Sequence, residues 1–151
     1  MAGYINQKVF ILYEDEHLLV VKKPFGMESQ RGKSFAMDQE SLLRGYLSSK
    51  TKTDNPYLAV VHRLDRPVAG VMVYAKTKKA AADLSAQLQT ENFSKKYEAV
   101  VSGIVPACEG RLEDYLTADK RTGTTSVSSK ADPLAKKAVL TWKEIAREEV
   151  K

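Results

Sequence analysis

The sequence is short of the residues that build disulfides and metal centres. It holds one cysteine, Cys108, and two histidines, His17 and His62, far apart along the chain. One cysteine closes no disulfide within the chain, and neither histidine has a partner at ligand spacing, so no metal is expected. Such sparse cysteine usage suits a reducing, cytoplasmic compartment. No apolar run approaches the roughly 18 residues of a membrane span. The opening segment MAGYINQKVF lacks the apolar stretch of a signal peptide, and no membrane association is expected. Internal repeats and low-complexity tracts are missing too, which excludes solenoids; Lys50–Pro56 reads as a turn or linker.

What is present is an ordinary globular composition. With 151 residues, 43% hydrophobic and 28% charged, the chain is long enough for one domain with one core, spanning 1–151. The net charge is +5 and the pI about 9.2. That balance suits a polyanionic partner such as RNA. The excess is spread out: residues 1–75 hold ten Lys/Arg against eight Asp/Glu, and residues 76–151 hold fourteen against eleven. With no basic tail, any RNA-binding surface has to be assembled by folding.

Val9–Tyr13 and Leu18–Lys22 are β-rich runs around the acidic break Glu14-Asp15-Glu16, a strand-turn-strand pattern that Pro24 and Gly26 end. Residues 27–38 read as a loop. Leu42, Leu43, Tyr46 and Leu47 recur at helical spacing and predict a helix over Ser41–Ser49 with these residues inward. Tyr57–Val61 and Gly70–Ala75 predict strands. Thr77 is the expected cap of a helix over Lys78–Thr90, with Ala81, Leu84 and Leu88 as its buried stripe. Lys95–Val101 predicts another strand, Pro106–Pro133 a long irregular loop with room for short pieces of structure, and Ala135–Ile145 a last strand with Trp142 in the core. Strands outnumber helices and enclose them. The expected class is α+β, a mixed and mainly antiparallel sheet with flanking helices.

The stretch His62-Arg63-Leu64-Asp65-Arg66-Pro67 is the chemically richest. A carboxylate serves as nucleophile, as general base or as a stabilising charge. Arg63 and Arg66 flank Asp65, and neighbouring cations favour the ionised form. The plain alternative is a loop aspartate spent on a structural ion pair with one of those arginines. For Lys76, Lys78, Lys79, Lys95 and Lys96 the alternatives are phosphate contact and ordinary solvation. Cys108 reads as a bystander.

The string from His62 to Lys76 resembles the active-site motif of RluA-type RNA pseudouridine synthases: HRLD, a glycine a few residues on, then an apolar strand ending in Ala-Lys. Leu12–Gly26, with its acidic turn and Lys23-Pro24-Phe25-Gly26 ending, resembles that family's opening hairpin. Lys95–Gly103 is similar to its Lys-x-Tyr strand. The three blocks stand in the family's order over about residues 10–103. The resemblance implies the pseudouridine-synthase catalytic fold and conversion of uridine in rRNA or tRNA to its C-glycoside isomer. It assigns the essential carboxylate to Asp65, as nucleophile or as base towards the sugar. It assigns substrate contacts to His62, Arg63, Leu64, Arg66 and Lys95, and base stacking to Tyr97. Tyr97 also reads plainly as a strand residue packing in a core, and Arg63 as a partner of Asp65. The bond change is internal to the substrate, so no cofactor is implied, in keeping with the lack of a glycine-rich nucleotide fingerprint.

The sequence departs from the family pattern in two places. Val68 and Ala69 stand where many members have Thr-Ser. The family's later Gly-Arg-x-His-Gln-Ile-Arg block, whose basic residue pairs with the catalytic aspartate, has no counterpart before Lys151. The expectation is therefore a catalytic domain incomplete at its C-terminal side. It would carry no S4-like RNA-docking domain and need no obligate protein partner, though an exposed sheet edge would be open to self-association. Beside the enzyme stand two other readings: an RNA-binding fragment or pseudoenzyme without turnover, and a glycoside hydrolase. The hydrolase needs a second carboxylate at a defined separation, and none stands out.

Overall fold

The computed structural model describes residues 3–5, 9–32, 37–90, 93–105, 107–119 and 121–148. Its contacts divide the chain into two units, Met1–Lys96 and Tyr97–Lys151.

The first unit is built on a five-stranded sheet: β1 (Gly3–Ile5), β2 (Val9–Glu14), β3 (Leu18–Lys23), β4 (Ala59–Val60) and β5 (Gly70–Ala75). Their order is β1-β2-β3-β5-β4, and every neighbouring pair is antiparallel. Asp15 makes the β2–β3 turn by taking the His17 and Leu18 amides on one carboxylate oxygen, the local chemistry that suits Asp to turns. Between β3 and β4 lies α1 (Gln39–Thr51), two residues longer at each end than the apolar spacing marks out. Asp38 caps it, accepting from the Ser41 amide at 2.9 Å. After β5 comes α2 (Lys78–Gln87), capped by Thr77 as expected.

The core joins sheet and helix. Val9, Ile11, Leu19, Val21, Met72 and Tyr74 close over Leu43 and Leu47 of α1, with Leu42 and Tyr46 partly buried at its edge. These strand positions alternate with outward ones, as the period of two requires. The α2 stripe falls short of expectation: Ala81, Leu84 and Leu88 share a face but are only half-buried.

The second unit is a three-stranded antiparallel sheet, ordered β7-β6-β8, from β6 (Glu109–Ala118), β7 (Thr125–Ser128) and β8 (Lys136–Lys143). Strands β6 and β7 lie inside the stretch read as a long loop, so that reading is corrected. The charged residues that disguise β6 pair with one another: Glu113 bonds Arg111 along the same strand and Lys137 across on β8. Trp142 is half-buried opposite Gly110 rather than in a core. The strand expected over Lys95–Val101 does not form, because a strand exists only where a neighbour takes its backbone hydrogen bonds, and none does among the described residues.

Candidate active site

The β4–β5 connection carries the HRLD motif, and three contacts give it its shape. The strand pair ends early, after Val60 opposite Tyr74. Where the ladder would continue, the His62 ring takes over: its Nε2 accepts the Val73 amide at 3.0 Å. That bond fixes the imidazole as a neutral acceptor with its proton on Nδ1. Burial pushes the His62 pKa down, and the nearby Lys95 charge pushes the same way. The second contact is apolar. A side chain at Gly70 would put its Cβ 3.1 Å from a Leu64 methyl, so the glycine leaves room for Leu64 against the core edge. The third is the turn itself, closed by the Val68 amide on the Asp65 carbonyl at 2.9 Å.

The segment that follows β3 holds this loop from the other side. Gly26, whose φ of +79° favours glycine, donates its amide to the Arg66 carbonyl at 2.9 Å and accepts Arg66 Nε at 3.0 Å. Ser29 donates its hydroxyl to the Leu64 carbonyl and accepts the Leu64 amide at 3.1 Å. Lys23 is fully buried. Its ammonium donates to the carbonyls of Met27 at 2.6 Å, Pro24 at 3.2 Å and Arg66 at 3.3 Å. Burial lowers the Lys23 pKa, and the negative charge of Asp65 acts against that shift. A buried ammonium needs such partners, since an uncompensated charge away from water is very costly.

Between the two segments opens a cleft of about 700 Å³. Residues 28–32 form one wall and residues 61–66 the other, with Leu88 and Lys95 at the margin. The structure thus brings His62, Arg63, Leu64, Asp65, Arg66 and Lys95 to one place. Asp65, Arg63 and Arg66 are exposed there. Neither arginine forms an ion pair with Asp65 among the described residues, so the structural pairing allowed for Asp65 and for Arg63 is not what holds this loop. The result is a carboxylate at an open cleft, unspent by its neighbours and flanked by cations that suit a phosphate backbone. Tyr97 belongs to the second unit and is 63% exposed. It does not pack in a core.

The other lysines separate. Lys76 is committed elsewhere: its ammonium bonds Glu14 at 2.8 Å and the Asp15 carbonyl. Glu14 also accepts from Lys50 and from the Tyr46 hydroxyl, each at 2.8 Å. Burial pushes the Glu14 carboxyl up, but these three donors outweigh it and hold the pKa at about 2. Lys79 pairs with Asp83 on the surface of α2. Lys78, Lys95 and Lys96 are exposed. Among the described residues no group of three or more His, Cys, Asp and Glu side chains is placed to hold a metal ion.

The wall at 28–32 and the anchoring by Lys23 and Ser29 were not legible as site features. Only the Lys-Pro-x-Gly pattern hinted at the lysine, and a lone serine in a polar loop carries no signal.

Known proteins resemble the chain along much of its length. A family model described as RNA pseudouridylate synthase matches residues 17–150. Ribosomal large subunit pseudouridine synthase D of Pseudomonas aeruginosa is 41% identical over 96 residues, covering 63% of this chain and 29% of that protein. The dual-specificity RNA pseudouridine synthase RluA of Vibrio vulnificus is 38% identical over 109 residues, covering 72% and 41%. Among solved structures, human RNA pseudouridylate synthase domain containing 4 superposes with a TM-score of 0.64 at 25% identity, over 85% of this chain and 51% of that one. The chain therefore spans about half or less of the length of these relatives. A family match through both units, three sequence blocks and a shared fold place the chain in the RNA pseudouridylate synthase family, among its RluA-type members.

Proposed function

We propose that this chain isomerises specific uridines of rRNA or tRNA to pseudouridine, with Asp65 as the catalytic carboxylate and no cofactor. The observation that carries the reading is the exposed Asp65 carboxylate, free of ion pairs among the described residues, on a loop fastened at both neighbours and facing a cleft lined by Arg31, Arg63, Arg66 and Lys95. In the reaction the bond from uracil N1 to the sugar C1′ breaks, the base turns, and C5 bonds to C1′. C5 loses its proton and N1 gains one, so atoms balance within the substrate. Asp65 attacks the nucleoside or takes a proton from the sugar; either step needs an ionised group close to C1′. The arginines and Lys95 hold phosphates on either side of the extruded nucleotide, and Tyr97 stacks on the uracil to replace the stacking it lost. The two compact units are parts of one catalytic domain, as the family model running through both suggests. The protein works in the cytoplasm, where these RNAs are made and modified; no helix among the described residues is long and apolar enough to cross a membrane.

The second reading, an RNA-binding module without turnover, draws on the same carboxylate: no cation among the described residues is paired with it, whereas the family pattern supplies one. Digestion of treated rRNA and tRNA to nucleosides separates the two. Pseudouridine that appears with the wild type and not with Asp65→Ala supports the enzyme. Tight RNA binding with no pseudouridine supports the module.

A further inference from the structure

Asp65 owes its place to backbone neighbours, because its own side chain has no fastening among the described residues. Arg66 is held by Gly26 and Lys23, and the two backbone polar groups of Leu64 by the Ser29 hydroxyl. That hydroxyl serves both backbone groups of the residue before Asp65, donating to its carbonyl and accepting from its amide. A hydroxyl is the smallest side-chain group able to do both at once. Ser29 is 5% exposed, so water is a poor substitute for it.

Ser29 is itself fixed from below. Its carbonyl accepts the Tyr74 hydroxyl at 3.1 Å, and Tyr74 is fully buried in β5. The Tyr74 oxygen also lies 3.0 Å from Gln39 Oε1, at the first turn of α1. A phenol has a single proton for these two acceptors, while the buried Gln39 Nε2 has no partner. Turning the Gln39 amide over lets Nε2 donate to the phenol oxygen and leaves the phenol proton for Ser29. The chain Gln39–Tyr74–Ser29–Leu64 then runs from helix and sheet to the peptide bond of Asp65.

We propose that Ser29 is a positioning residue that sets the height of the Asp65 carboxylate in the cleft through Leu64. This rests on the reading of Asp65 as the catalytic group. Ser29 touches no reacting atom in this proposal; it fixes the peptide that carries the one that does. Displacing a reacting group by about 1 Å costs on the order of 100-fold in rate. Loss of the hydroxyl therefore acts on turnover more than on RNA binding, which exposed cations elsewhere in the cleft supply.

The test compares wild type, Ser29→Ala and Ser29→Thr in the full chain, by tritium release from C5-labelled rRNA and tRNA and by amide exchange at Leu64. Thermal melting confirms that each variant is folded; if Ser29→Ala is not, Ser29→Cys replaces it, keeping the size with a much weaker donor. The expected result is a fall of roughly 10- to 100-fold in kcat for Ser29→Ala with KM within about twofold, faster Leu64 exchange, and recovery of most of both in Ser29→Thr. A folded Ser29→Ala with wild-type kcat, a loss confined to KM, or a folded Ser29→Thr no better than the alanine variant overturns the proposal. Wild type that releases no tritium overturns the reading of Asp65 instead. Leu64 exchange unchanged by Ser29→Ala then overturns the clamp separately.

Discussion

Glu14→Gln should expose how much of the first unit's stability rests on one carboxylate. Glu14 lies at the end of β2 and gathers Lys50 and Tyr46 from α1 and Lys76 from the end of β5, so it ties hairpin, helix and motif strand together. Its pKa falls from 4.5 to about 2. Each unit is worth about 1.4 kcal/mol, which gives about 3.5 kcal/mol. Glu14 and Lys76 are mostly buried, at 7% and 16% side-chain exposure, but Lys50 is 52% exposed and solvent screens its share. A figure of about 2 kcal/mol is the expectation once that screening is counted. The folded carboxyl binds a proton less readily than the unfolded one. Its stabilisation is therefore complete above about pH 4.5 and is lost as pH falls towards 2. Glutamine cannot titrate and resembles protonated glutamate. The deficit of the variant should be about 2 kcal/mol near neutrality and should shrink steadily as pH falls from about 4.5 towards 2. Urea unfolding of both proteins, followed by the backbone amide signals of β3 and β5, measures it. Subtracting the two curves removes Asp15 and other groups common to both. A deficit that stays constant with pH, or one below about 0.5 kcal/mol near neutrality, would refute the reasoning.

Lys23→Met keeps the volume and removes the donor to three backbone carbonyls, one of them Arg66; a loss of about 2 kcal/mol or more is expected in thermal or urea unfolding. His62 has its pKa lowered from 6.5, so it binds fewer protons folded than unfolded, and its contribution is complete above about pH 6.5 and declines below it. Stability measured down to about pH 5 should fall less steeply in His62→Gln than in wild type. Lys95→Ala, at the cleft margin, should weaken RNA binding without regard to sequence and lower the log–log salt slope by about 0.7 to 0.9, read by filter binding across salt concentrations.

The elements that bury a face were legible in the sequence, and those that do not were missed. Strands β2, β3 and β5 and helix α1 announce themselves because each turns apolar residues towards one core, and Gly70–Ala75 falls at its expected bounds; α2 was legible from its Thr77 cap and apolar spacing although it buries no residue fully. Strand β6 was hidden because charged residues stand along it, among them Glu113 paired with Lys137 of β8, and its Leu112 stays exposed, leaving no clean alternation to read. Lys95–Val101 has the composition of a strand and none of its partners among the described residues, and β propensity without a neighbour does not make a ladder. The site shows the same division. Asp65 and its neighbours were singled out as candidates from one contiguous motif. Lys23 and Ser29 act through backbone groups roughly 40 and 35 positions away, a relation that exists only after folding.

The central claim is that the charge of Asp65 performs the chemistry. Asp65→Asn keeps the size and the loop contacts, which run through the backbone, and removes only the charge. Tritium release from C5-labelled uridine in rRNA and tRNA, measured beside the RNA dissociation constant of the same variant, tests this most directly. The account predicts release by the wild type, a loss of at least about 1,000-fold in the variant, and RNA affinity changed by no more than a few-fold. Release by the variant at a rate near the wild type's would contradict it.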